Sequence, residues 1–259
     1  MPPDLDLVRD WPLALSLAGI GALASGVNAV AGGGSLLSFP FLVAVRIPAL
    51  EANATNAAGL WPGSLAGAIG FLNALGRTGR HIRPLLLPTV LGSVLGALLL
   101  VRLPERVFET AVPFLIVLAA SILALQSRIK LWVERRHGRL PFAAGWALQL
   151  LVSVYGGYFG AGMGLMMLAA YSLYMEGDIH EWNAVKTWLG LFINLLAAAI
   201  FVAEGRVLWV AGASLGVGGI VGGFASARLS QRVNPDGLRI GVSLYGFVAA
   251  GWFAWKAFG

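Results

Sequence analysis

Residues 28–40 read NAVAGGGSLLSFP, and the stretch lies inside an apolar run. Three consecutive glycines, Gly32, Gly33 and Gly34, are poor material for a helix interior, each costing up to about 1 kcal/mol relative to Ala. The flanks, WPLALSLAGIGALASGV before and LLSFPFLVAV after, are apolar enough for a membrane helix. Non-helical backbone at membrane depth survives only where protein or a watery cavity satisfies its polar groups. The glycines therefore raise the question of what the break is for.

The surroundings answer first for class. Hydrophobic residues make up 58% of the chain and charged residues 12%, against about 25% charged in a soluble domain. Mean hydropathy is +0.79. Eight segments carry no Asp, Glu, Lys or Arg: 11–45, 52–76, 84–101, 110–127, 140–175, 187–203, 207–227 and 240–255. Each is at or near the ~20 residues that span a ~30 Å hydrocarbon core. The expected class is an all-α polytopic membrane protein.

The first residues, MPPDLDLVRDW, do not read as a signal peptide, because Pro and Asp stand where a cationic region belongs. Lys186-Thr187 lacks the glycine that precedes a P-loop lysine. The chain has no cysteine, which excludes disulfides and thiolate metal sites. The net charge of +6 sits in short loops, where it sets topology and does not point to nucleic acid.

A fixed offset of 130 residues aligns the chain with itself. Gly26, Gly32 and Gly34 fall on Gly156, Gly162 and Gly164, and Glu51, Asn53 and Ala54 fall on Glu181, Asn183 and Ala184. Phe71, Gly92 and Arg102 likewise meet Phe201, Gly222 and Arg232. The expected organisation is a first half at 1–126, a basic cytoplasmic linker at 127–140 and a second half at 141–259, each half of about five helices. The opening uncharged segments of the halves, 35 and 36 residues long, exceed one crossing, since 35 helical residues measure about 52 Å. Each must be a spanning helix with an unwound middle or a helical hairpin. The positive-inside rule places the Arg-rich stretches at 77–83, 127–139 and 228–239 on the cytoplasmic side only if the opening segments are hairpins. The halves are then inverted copies; parallel repeats are the alternative.

The polar residues gather at the breaks. Helix starts expected at Ser35 and Leu165 would turn backbone N–H groups toward Gly32, Gly33, Gly34, Gly162 and Gly164, and such ends attract anions. Paired discontinuous helices are the best sequence pointer to a transporter's site. By contrast, Gly92/Gly96, Gly212/Gly216 and Gly218/Gly222 read as close helix packing. The segments EANATN (51–56) and HEWNAVK (180–186) open the next helices. Glu51 and Glu181 complement a helix dipole there, with proton coupling, shared with His180, as the rival reading. Asn53 and Asn183 pair across the repeat, and Asn56 is the counterpart of Lys186. Lys186 is an intramembrane cation, which by default faces a cavity or counter-ion, or else snorkels to the interface. With Thr187, and with Thr55, Asn28 and Tyr158 as weaker candidates, these residues form a donor set suited to a small anion of low charge.

At these residues the sequence resembles the TauE/SafE sulfite exporter family, also called the toluene-sulfonate uptake permeases. The match is AGGGSLLSFPFL then ALEANATNAAGL, recurring as GYFGAGMGLMML then EWNAVKTWLGLF, and it covers about 14–255. The resemblance implies secondary transport of sulfite, sulfoacetate or another organosulfonate, without an ATPase or a cofactor, in a bacterial inner membrane. Lys186 departs from it, standing where the family often has a small or neutral residue. A carrier for another small organic anion such as a carboxylate, or an anion channel, stays open. An enzyme is not expected, because no H-E-x-x-H and no Ser/His pair within one span is present. The expected partners are the small anion, the bilayer, a coupling proton and a second copy of the chain.

Overall fold

The structure, a computed structural model, describes residues 10–30, 33–69, 75–135, 140–177, 179–229 and 235–258. Side-chain placement is described for fewer residues near the edges of these stretches. The described residues form eleven helices and no strand. In chain order they are α1 (Trp11–Val30), α2 (Ser35–Ala44), α3 (Ala49–Ile69), α4 (Leu75–Arg102), α5 (Glu105–Ala124) and α6 (Gln126–Arg135), then α7 (Phe142–Tyr158), α8 (Met163–Tyr174), α9 (Ile179–Ala203), α10 (Trp209–Leu229) and α11 (Pro235–Phe258).

Five of these carry stretches long and apolar enough to cross a membrane: Trp11–Asn28, Gly79–Arg102, Glu105–Ala124, Glu181–Ala203 and Gly237–Phe258. Shorter apolar helices cover Ser35–Ala44, Met163–Tyr174 and Trp209–Ala225. Both over-long opening segments are divided, α1 from α2 and α7 from α8. The second pair is a hairpin, since Leu140 at its start donates its N–H to the Leu173 carbonyl at its end (2.8 Å). In the first pair, α2 begins with Gly34 against the Ala24 backbone, one and a half turns short of the end of α1, so the chain folds back there too.

Two basic stretches differ from the loops the sequence suggested. Residues 77–83 form the first turns of α4, and most of the linker is α6. Arg, Lys, Leu and Glu are good helix formers, and Gly79 does not interrupt the helix. Pro40, Pro62, Pro84, Pro88 and Pro113 also lie inside helices. Neighbouring helices and side chains can re-satisfy the backbone groups that proline frees in a membrane span.

Glycine lets the helices approach. α1 and α10 run side by side in one direction, with Ala18 against Gly218 and Ala22 against Gly222. α4 and α7 do the same, with Gly92 against Leu150 and Gly96 against Val154. Gly92/Gly96 and Gly218/Gly222 are two of the three packing pairs the sequence singled out; Gly212 and Gly216 face α3 at looser contact. α3 also runs along α10, with Gly59 beside Leu215 and Gly63 facing Gly219. α3 packs against α9, and α4 against α9. α5 and α11 run antiparallel: Phe114 meets Phe258, Ala120 meets Gly246, and Arg239 Nη1 donates to Ser127 Oγ (3.1 Å).

At the centre, Phe39 of α2 stacks on Phe253 of α11 (centroids 5.6 Å apart) and meets Phe159 and Phe108 edge-on. Three helices, α2, α5 and α11, are thereby packed against the loop of the second break. Such aromatic pairs add about 0.5–1.5 kcal/mol each beyond simple burial.

Candidate functional site

The first break is built by Gly33, whose φ of +83° is left-handed backbone that a side chain rarely tolerates. It lets the chain reverse and start α2 at Ser35, as the sequence suggested. Gly34 donates its N–H to Asn28 Oδ1 (2.7 Å). The next N–H groups turn back onto the break, Leu36 to the Gly33 carbonyl and Leu37 to that of Gly34 (both 2.9 Å). Fewer donors are therefore free at this helix start than the sequence implied. The side chains supply others. Ser38 Oγ, fully buried, donates to Asn56 Oδ1 (2.5 Å), which leaves the Asn56 amide N–H groups as that residue's remaining polar edge.

The second break uses two left-handed glycines, Gly160 (φ +80°) and Gly162 (φ +76°). Gly162 caps α8, so the helix starts at Met163, two residues earlier than expected. Tyr155 donates its hydroxyl to the Ala161 carbonyl (2.6 Å) and pins the loop to α7. On α9, which packs beside α8, the aliphatic stem of Lys186 lies against Gly164. Its Nζ donates to Asn183 Oδ1 (2.8 Å), one turn back, while Thr187 Oγ1 donates to the Asn183 carbonyl (2.7 Å).

Asn53 joins the parts: its Nδ2 donates to the Tyr158 carbonyl (3.0 Å), linking α3 to the end of α7 beside the second break. The structure thus groups Gly34 and Asn56 around the first break, and Gly164, Asn183, Lys186 and Thr187 around the second. Asn53 reaches between them. Gly32 lies outside the described residues, as does the side chain of His180. Glu51 and Glu181 sit in the first turns of α3 and α9 and form ion pairs with Arg206 (2.9 Å) and Arg80 (3.9 Å). Thr55 is engaged structurally, its hydroxyl accepting from the Leu208 N–H (3.0 Å). Ser38 and Tyr155 escaped the sequence reading; a serine inside LLSFPFL was the one available signal.

The electrostatics are one-sided. Among the described residues, carboxylates pair with Arg80, Arg102 and Arg206, and none lies within ion-pair distance of Lys186. The described residues also hold no group of three or more His, Asp or Glu able to bind a metal.

Comparison with known proteins bears on what such a site serves. The family model described as "Sulfite exporter TauE/SafE" matches residues 17–253. A "Probable membrane transporter protein" of Haemophilus influenzae is 29% identical over 242 residues, 90% of this chain and 94% of its own. "Probable membrane transporter protein ORF9" of Sinorhizobium sp. is 27% identical over 209 residues, covering 81% of this chain and 80% of its own. "Probable membrane transporter protein YfcA" of Escherichia coli is 28% identical over 228 residues, covering 86% and 81%. No solved structure matches the chain.

Proposed function

Because the chain belongs to the sulfite exporter TauE/SafE family and is a membrane transporter, we propose that it is a secondary carrier of a small sulfur-containing anion. Sulfite, sulfoacetate and other organosulfonates are the candidate class, and the site lies where the two breaks meet α3 and α9. The observation that carries this is Lys186. A lysine part-way along a membrane helix, held by Asn183 and without a carboxylate among the described residues, is an uncompensated charge. Such a cation is costly in the membrane unless a counter-charge visits it, and an anionic substrate supplies one.

The second part of the reading is that the halves are inverted about this site. Adding 130 to α1–α5 gives 141–160, 165–174, 179–199, 205–232 and 235–254, close to the bounds of α7–α11. The packing exchanges in step: α1 beside α10 corresponds to α7 beside α4, and α3 beside α10 to α9 beside α4. The equivalent helices α5 and α11 run antiparallel, which supports inverted halves over parallel repeats. The hydrogen bond from Arg239 to Ser127 puts two of the three Arg-rich stretches at one end. Ile129 and Ile82 share an apolar cluster, which brings in the third. That end is cytoplasmic by the positive-inside rule, in a bacterial plasma membrane, the relatives named above being bacterial.

The test is a thermal-shift screen in detergent against sulfite, sulfoacetate, taurine, sulfate and simple carboxylates. The reading expects stabilisation by at least one sulfur oxyanion and weaker stabilisation by carboxylates. Stabilisation by carboxylates alone would move the substrate class.

A further inference from the structure

Glu51 and Glu181 are equivalent at the 130-residue offset, and each opens a helix at the centre of the bundle. Each pairs with an arginine of the other half, and the two arginines lie four residues from exact correspondence at that offset. Arg206 is in the turn that leads into α10, and Arg80 is in the first turns of α4. The pairs lie at opposite ends of the molecule. Arg80 and Glu181 stand at the end with the Arg-rich stretches, and Glu51 and Arg206 at the end where α2, α4 and α9 finish.

The two pairs differ in geometry. Glu51 is only 13% exposed and lies 2.9 Å from Arg206. A second short contact, Arg102 to Glu204 (2.9 Å), also crosses between the halves at that end. The Arg80–Glu181 contact is 3.9 Å, and its arginine side chain is 67% exposed.

We propose that Glu51–Arg206 and Glu181–Arg80 are paired latches that close opposite mouths of the carrier in turn, and that this conformation holds the Glu51 end shut. The proposal rests on the inverted halves, because only inversion puts equivalent carboxylates at opposite faces. An ion pair that regains water as its end opens is weak, which suits a contact that must open in every cycle. A mutually exclusive pair of such contacts biases a two-state rocking motion without making the substrate site itself change shape. The helix-start carboxylates then act on access, not as proton carriers.

The chain has no native cysteine, so spin labels can be placed cleanly. One pair, Arg46→Cys with Trp209→Cys, spans the Glu51 end, and another, Arg83→Cys with Glu176→Cys, spans the Glu181 end; all four positions are exposed. Distances are measured by pulsed electron paramagnetic resonance in nanodiscs. Arg206→Gln should raise the longer-distance population of the first pair about fivefold or more and leave the second unlengthened. Arg80→Gln should do the reverse. The charge swap Glu51→Arg with Arg206→Glu should restore the original distribution. No shift in either variant, or equal loosening of both ends by both variants, would overturn the latches. The underlying reading is checked separately on otherwise unaltered chain. Single cysteines at Arg83 and Ile240 should react with an impermeant maleimide from one face, and one at Arg46 from the other. Reaction of Arg83 and Ile240 from opposite faces would sink the inverted halves themselves.

Discussion

On the proposed reading, Lys186 and the left-handed glycines are where individual residues decide function. Losing one charged donor from a desolvated site costs about 2–5 kcal/mol, and 1.4 kcal/mol is a factor of ten in affinity. Lys186→Ala should therefore weaken anion binding more than tenfold, with Lys186→Arg recovering part of the loss, since a flat fork replaces a point charge. Isothermal titration on folded protein reads this; unchanged affinity in Lys186→Ala and Lys186→Gln would mean that the lysine only snorkels. The glycines make a separate prediction. A Cβ at Gly162 meets nothing closer than 3.5 Å, so Gly162→Ala strains the backbone (φ +76°) without a clash. The strain is about 1–2 kcal/mol. At Gly33 a side chain meets the same kind of strain and also touches Leu123, a side chain able to move. Gly33→Leu should thus fold, with reduced stability, and fail to transport. Transport at the wild-type rate by Gly33→Leu would show that the break is only a packing feature.

Helices pack here through backbone contact, and that gives the next prediction. A Cβ at Gly96 would enter the Val154 and Tyr158 backbone, and one at Gly222 the Ala22 backbone, whereas Gly251 has open space around it. Gly96→Ala and Gly222→Ala should each destabilise by about 1–3 kcal/mol through overpacking. Gly251→Ala should be neutral or stabilising by up to about 1 kcal/mol. Chemical denaturation in detergent separates the two outcomes. At this scale the sequence was largely readable. The over-long uncharged segments and their glycines marked both breaks, and spaced glycines such as Gly92/Gly96 marked close contacts. The starts of α4 and α6 were not readable, because interfacial Arg and Lys satisfy a loop and a helix equally well. The site was legible as a set of residue types but not as bonds. Asn53 reaching the Tyr158 carbonyl, or Ser38 orienting Asn56, depends on contacts across 105 and 18 residues of chain, which no local pattern encodes.

Across the whole molecule, the proposed inversion of the halves would make the two faces of the bundle equivalent in architecture. The turn after α4, at Leu103, should be reached from outside the cell, and the start of α7, at Leu140, from inside; both residues are exposed. Cysteine substitution with an impermeant reagent tests each in one experiment, and labelling of both from the same face would contradict the arrangement. The most direct test of the central claim is counterflow in proteoliposomes. The purified chain is loaded with unlabelled sulfoacetate or sulfite, and entry of the labelled anion is followed. A carrier with one site between inverted halves predicts transient, saturable accumulation of label that depends on the internal anion and is lost in Gly33→Leu. Uptake that rises linearly with concentration, unaffected by the internal anion, would show a channel and contradict the account.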